Sequence, residues 1–156
     1  MGWMHSHLCL FYVGGSVFGR PDWVDDPEDW QDARKAKLSS FLRQGGDSIR
    51  YIYDLGDGWE HDITVEESLS ETKCRLPRCL AGENAAPPED CGGIPGFHSL
   101  KEVLADPDDD EHQEMLDWLD GLYPNYDPYE FSLGVVNRIL NAGASKYLRL
   151  MAKLCE

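Results

Sequence analysis

The sequence is short of positive charge. Its 156 residues hold 14 Lys and Arg against 29 Asp and Glu, a formal net charge of -15. A field of that sign repels phosphate backbones, which argues against DNA or RNA binding through a general electrostatic footprint and leaves only small local basic patches, for instance Arg34, Lys35 and Lys37. Long apolar runs are absent too, so no stretch reaches the roughly 20 residues that a bilayer-spanning helix needs. The N-terminus, MGWMHSHLCLFYVGG, has neither a basic region nor a small-residue cleavage site. These features predict a soluble, cytoplasmic protein with no membrane partner. The five cysteines, an odd number without dense spacing, fit reduced thiols better than a disulfide framework. No Walker-type phosphate loop, nucleophile elbow or redox CxxC is present.

What is there is a globular composition. Hydrophobic residues make up 42%, with five Trp, seven Tyr and five Phe, enough for one compact domain over residues 1–156. Its organising stretch is Tyr51 to Glu66, YIYDLGDGWEHDITVE, where two strand-like runs flank Gly56-Asp57-Gly58 and predict a β-hairpin within 48–67. A three-residue loop, Gly56 to Gly58, pairs Leu55 with Trp59, Tyr53 with His61, Tyr51 with Ile63 and Ile49 with Val65. That register collects the large apolar side chains on one face, whereas a slip of one residue would bury a carboxylate. Tyr51, Tyr53, Trp59 and His61 are accordingly expected in the core. On the other face it sets Asp54 against Glu60, an unfavourable like-charge pair that a lysine, an arginine, a cation or water must offset.

Before this hairpin, His7 to Val13 followed by Gly14-Gly15 and Ser16-Val17-Phe18 predicts another. Its apolar residues on both faces call for cover on both sides. The acidic segment from Arg20 to Asp32 reads as a solvated loop. Leu38, Phe41 and Leu42, with Gly45-Gly46 beyond, predict a short helix. Arg75 to Gly96 is a long loop dense in turn formers. Helical stripes follow at Phe97, Leu100, Val103 and Leu104, at Met115, Leu116, Trp118 and Leu119, and at Val135, Val136, Ile139 and Leu140, the last with Ser132 as N-cap. A terminal helix is expected over Ser145 to Leu154. The fold class is α+β: a single domain with a small sheet built around the hairpin and packed against several C-terminal helices.

Two sets of residues have the chemistry of a site. Asp54, Asp57, Glu60 and Asp62 form an acidic cluster whose oxygens suit a divalent cation, but the register turns His61 away from it, toward Tyr53, so no catalytic residue is assigned. Cys79, Cys91 and His98, with Cys74 nearby, have the residue types of a zinc site but wide, irregular spacing in place of a tight knuckle. The loop Pro87-Pro88-Glu89-Asp90-Cys91-Gly92-Gly93 reads either as a rigid connector capping the next helix or as a preformed recognition loop for a basic or peptide-like partner.

The blocks YIYDLGDGWEHDITVE, CLAGENAAPPEDCGGIPGF, and WLDG followed by DPYEFSLGVVNRIL together resemble the plasmid pRi ORF-three-like family, which takes in insertion-element passenger and TnpR-like proteins. The resemblance runs from Gly2-Trp3 to about Leu140, with Leu55 where the family usually has Phe and Ala86 where it has Cys. It implies an α+β domain of bacteria and mobile elements without an established activity. Family members usually carry a further strand and helix before the block at Gly2-Trp3. Their lack here predicts an open sheet edge near His7–Val13, available for homo-oligomerisation. A resolvase would need a nucleophilic serine among arginines and a basic DNA-binding segment, and the sequence has neither. The reading that results is a non-enzymatic accessory module that binds a protein partner through an acidic surface. The alternative is a metal-binding or metal-dependent hydrolytic domain, a divalent metal being the one cofactor the residues suggest, and the second alternative is a DNA-transaction accessory protein.

Overall fold

The computed structural model describes residues 3–4, 6–25, 29–70 and 77–142. Cys74 and the helix expected over Ser145 to Leu154 lie outside them. Among the described residues five strands and three α-helices make an α+β fold: β1 (Cys9–Val13), β2 (Ser16–Gly19), β3 (Gln31–Asp32), β4 (Ser48–Tyr53), β5 (Trp59–Thr64), α1 (Gly93–Ala105), α2 (His112–Asp120) and α3 (Leu133–Ala142). Contacts divide the chain into two compact units that alternate along the sequence. One takes the described residues of His5–Ser70 with Asp90–Gly96, and the other those of Met1–Met4, Glu71–Glu89 and Phe97–Glu156.

The first unit is a mixed sheet in the order β3-β2-β1-β4-β5, antiparallel except for the β2–β3 pair. Gly14 and Gly15 both have positive φ, 57° and 80°, which the two-residue turn from Val13 to Ser16 requires and which L side chains resist. One face carries Phe11, Phe18, Ile49, Tyr51, Tyr53 and Trp59. Phe11 stacks on Tyr51 at 4.8 Å and Phe18 meets Phe41 at 5.2 Å. Tyr53, the last residue of β4, is only 1% exposed. On the opposite face Leu10 is buried, and the bare Gly19 lies close to both Leu10 and Trp30. The short helix expected at Leu38 to Leu42 is a single turn, Leu38–Ser40, closed by the Leu42 amide donating to the Leu38 carbonyl.

Two expectations are corrected here. The open edge is not at His7–Val13: β1 lies inside the sheet, paired with β2 on one side and β4 on the other, because the glycine turn folds β2 back along it. Among the described strands the edges are β3 and β5. The central hairpin is also shifted by two residues. Tyr53 faces Trp59, Tyr51 faces His61 and Ile49 faces Ile63, across a five-residue connection from Asp54 to Gly58. The parity is as expected, so the same side chains share a face. Leu55, however, leaves the strand and is 44% exposed.

In the second unit, α1 continues from Phe97 with Leu100 and Val103 buried, and α2 buries Leu119. His112 Nδ1 lies 2.8 Å from the Val103 carbonyl oxygen and ties the start of α2 to α1. Trp3 is buried, and its indole N–H donates to the Pro87 carbonyl at 2.8 Å. The Asn137 side chain of α3 accepts from the Cys79 amide at 2.9 Å and donates to the Cys79 carbonyl at 3.0 Å, the pairing a neighbouring strand would give. No helix among the described residues is long and apolar enough to cross a membrane.

Candidate functional site

The shifted register decides where the hairpin acids go. On the polar face of the sheet, Arg50 stands opposite Asp62 and reaches both Asp62 and Glu60 at 3.3 Å. Ile52, not Asp54, stands opposite Glu60. The like-charge opposition expected from the sequence is thereby removed, and an arginine from the adjacent strand partners the two carboxylates. Arg34 and Lys35, two of the three residues named as a local basic patch, lie against Asp32.

Asp54 is drawn into the loop instead. Its φ of 57° lies in the left-handed region, where aspartate is among the few non-glycine residues tolerated. Its amide donates to the Leu8 carbonyl at 2.8 Å, extending the β1–β4 ladder by one step and bringing His7 alongside. Oδ1 of Asp54 accepts from the amides of Gly56 and Asp57, at 2.9 and 3.3 Å, so the carboxylate is fixed by backbone and its Oδ2 faces outward toward His7. Asp54 as a whole is buried.

His7 sits between two carboxylates. Its Nδ1 is 3.4 Å from Asp54 Oδ2 and its Nε2 is 3.2 Å from Asp90 Oδ1, while its ring meets Tyr53 edge-on at 6.0 Å. Asp90 too has a left-handed φ, 58°, and its side chain is 71% exposed, so this end of the cluster opens to solvent. Asp57, three residues beyond Asp54, has an Oδ2 that is buried without a hydrogen-bond partner among the described residues. Cys91 follows Asp90. Burial first, then the charges of Asp57 and Asp90, push its thiol up to about 11, so it stays protonated and is a poor nucleophile or ligand.

The expected site residues thus separate. Asp54 and Asp90 come together through His7, and Asp57 shares the loop, whereas Glu60 and Asp62 turn to Arg50. Cys79 and His98 are engaged elsewhere, Cys79 by Asn137 and the Ala81 carbonyl and His98, at 3.9 Å, by Glu102. Within Pro87 to Gly93, Pro88 and Glu89 are buried and structural. Glu89 accepts the Met4 amide at 2.7 Å, and its own amide donates to the Tyr123 hydroxyl at 2.9 Å. Asp90 and Gly92 remain exposed, and Gly93 is buried at the start of α1. His61, read as a core residue, is half-buried, with Nδ1 3.3 Å from the Tyr51 carbonyl oxygen.

His7 was not legible as a site residue, since in sequence it is only the polar end of an apolar run. Pairing β1 antiparallel to β4 so that Cys9 faces Tyr53 would have set Leu8 against Asp54 and exposed the relationship.

Comparison with known proteins agrees with the resemblance. The chain is 37% identical over 152 residues to the uncharacterized protein y4hQ of Sinorhizobium fredii, covering 96% of this chain and 76% of that one. It is also similar to a crystal structure of a protein of unknown function from Methanosarcina mazei Go1, with a TM-score of 0.68 and 30% identity over 85% of this chain and 74% of that one. The model of the plasmid pRiA4b ORF-3-like proteins matches residues 1–134, and the chain belongs to that family.

Proposed function

We propose that the chain is a non-enzymatic interaction domain, an accessory module whose acidic surface takes a basic, peptide-like protein partner. The observation that carries this reading is the segment from Asp106 to Asp120. Asp106, Asp108, Asp109, Asp110, Glu111, Glu114, Asp117 and Asp120 are all exposed there, and no Lys or Arg occurs between Lys101 and Arg138. Along the same stretch Leu116 and Trp118 are 39% and 37% exposed, and Leu122 follows at 41%. Carboxylates interleaved with half-open apolar side chains suit a partner that offers lysines or arginines with apolar residues among them, charge steering the encounter and the indole anchoring it.

The ion pairs of the sheet unit are consistent with the same assignment. Arg20, Arg34 and Arg50 are each paired nearby in the sheet unit, with Asp22, Asp32 and Glu60, and among the described residues no ion pair reaches an acid of the 106–120 segment. Titrating isotopically labelled protein with an oligolysine peptide tests the reading. Shifts concentrated on Asp106 to Asp120, including the Trp118 indole, are expected. No shifts, or shifts confined to other segments, contradict it.

A further inference from the structure

We propose that His7, Asp54 and Asp90 form a binding site for a divalent transition-metal ion of the zinc class, a function separate from partner binding by the 106–120 segment. Each residue offers one ligand atom, and the three atoms all lie within 4.8 Å of one another. Two metal bonds of about 2.0–2.1 Å at a tetrahedral angle hold their ligands roughly 3.3–3.5 Å apart. His7 Nε2 and Asp90 Oδ1, at 3.2 Å, are already close to that spacing.

The donors arrive from three places in the chain: the lead-in to β1, the hairpin loop and the loop before α1. One of them is held in place without the ion. Asp54 is fixed through Oδ1 by two backbone amides, and its Oδ2, 3.4 Å from His7 Nδ1, is the oxygen it offers to an ion, an orienting arrangement of the kind found in metal sites. In the same loop as Asp54, the buried Oδ2 of Asp57 has no hydrogen-bond partner among the described residues.

One imidazole with two carboxylates is a borderline donor set. It favours zinc, iron or manganese over magnesium and calcium, which prefer oxygen alone, and over ions that select thiolates. The exposed Asp90 side leaves room for water or a fourth ligand.

The experiment uses the full chain without an affinity tag, stripped with EDTA and titrated calorimetrically with zinc chloride. One zinc per chain is expected. His7→Ala should abolish the isotherm, and Asp54→Asn or Asp90→Asn should weaken it roughly 10- to 100-fold. Because His7→Ala could disturb the sheet, Asp90→Asn, a change at an exposed side chain, carries the decision on its own. Cys79→Ser with Cys91→Ser, and separately Asp108→Asn with Asp109→Asn and Asp110→Asn, should leave stoichiometry and affinity unchanged. Cobalt in place of zinc should give visible d–d bands that Asp90→Asn removes. Zinc binding that survives Asp90→Asn unchanged, follows the cysteines, or is absent from the wild type overturns the proposal.

Discussion

Gly93 and Asp57 touch backbone to backbone: a Cβ built on Gly93 would sit 2.5 Å from the Asp57 carbonyl oxygen. Gly93 also has a φ of 67°. The first turn of α1 and the loop of the hairpin therefore meet at a point where only hydrogen fits. Gly93→Ala combines a left-handed backbone with a clash against an atom that cannot rotate away, and should destabilise the fold by about 1–3 kcal/mol. Gly134→Ala is the control, since its Cβ meets nothing within 4 Å. Urea unfolding of the two variants checks the contrast.

The hairpin register is tested by two neighbouring truncations. Tyr53 ends β4 on the sheet's apolar face and is 1% exposed, whereas Leu55 lies outside the strand. Tyr53→Ala should cost about 3–5 kcal/mol, as other large-to-small changes of buried aromatic residues do. Leu55→Ala should change stability by no more than about 0.5 kcal/mol. A large loss at Leu55 would restore the pairing of Leu55 with Trp59.

Asn137 holds the segment at Cys79 to α3 by a donor and an acceptor together. Asn137→Ala leaves a half-buried amide and carbonyl without their partner, at a cost of about 1–3 kcal/mol. Hydrogen exchange at the Cys79 amide should quicken in that variant.

Asp32 sets an acid-side dependence. Hydrogen bonding from the Arg34 guanidinium, aided by the Arg34 amide, lowers its carboxyl from 3.8 to about 2. A carboxylate with a depressed folded pKa contributes stability that is present above the ordinary value and lost as pH falls through the folded one. That contribution should therefore fade between about pH 4 and pH 2. Carbon-detected titration of Asp32 should show a midpoint near 2, and Arg34→Ala should move it upward.

How much of this was legible in the sequence depended on whether the information was local. The glycine turn after Val13, the shared apolar face of Tyr51, Tyr53, Trp59 and His61, and the stripes of α1, α2 and α3 follow from period and turn chemistry. The loop length at Asp54 did not, because an i to i+4 bond from the Gly58 amide to the Asp54 carbonyl and a left-handed aspartate let the chain turn two residues earlier than apolar pairing suggests. Nor did the interior position of β1, which depends on long-range pairing with β4. Helix α1 starts at Gly93, before Pro95, since proline in a first turn loses no helical hydrogen bond. His7 is the clearest case: Asp54 and Asp90 lie 47 and 83 residues away along the chain, and the pairing of β1 with β4, which brings the first of them to it, is not readable from local sequence.

The central claim, that the acidic segment from Asp106 to Asp120 receives a basic partner, is tested most directly by fluorescence anisotropy. A labelled oligolysine peptide is titrated with the wild type and with a variant carrying Asp108→Asn, Asp109→Asn and Asp110→Asn, at low and moderate salt. With about 0.5 kcal/mol from each exposed charge, the variant should bind roughly tenfold more weakly, and the difference should shrink as salt rises. Equal affinity of the two proteins at low salt would contradict the account.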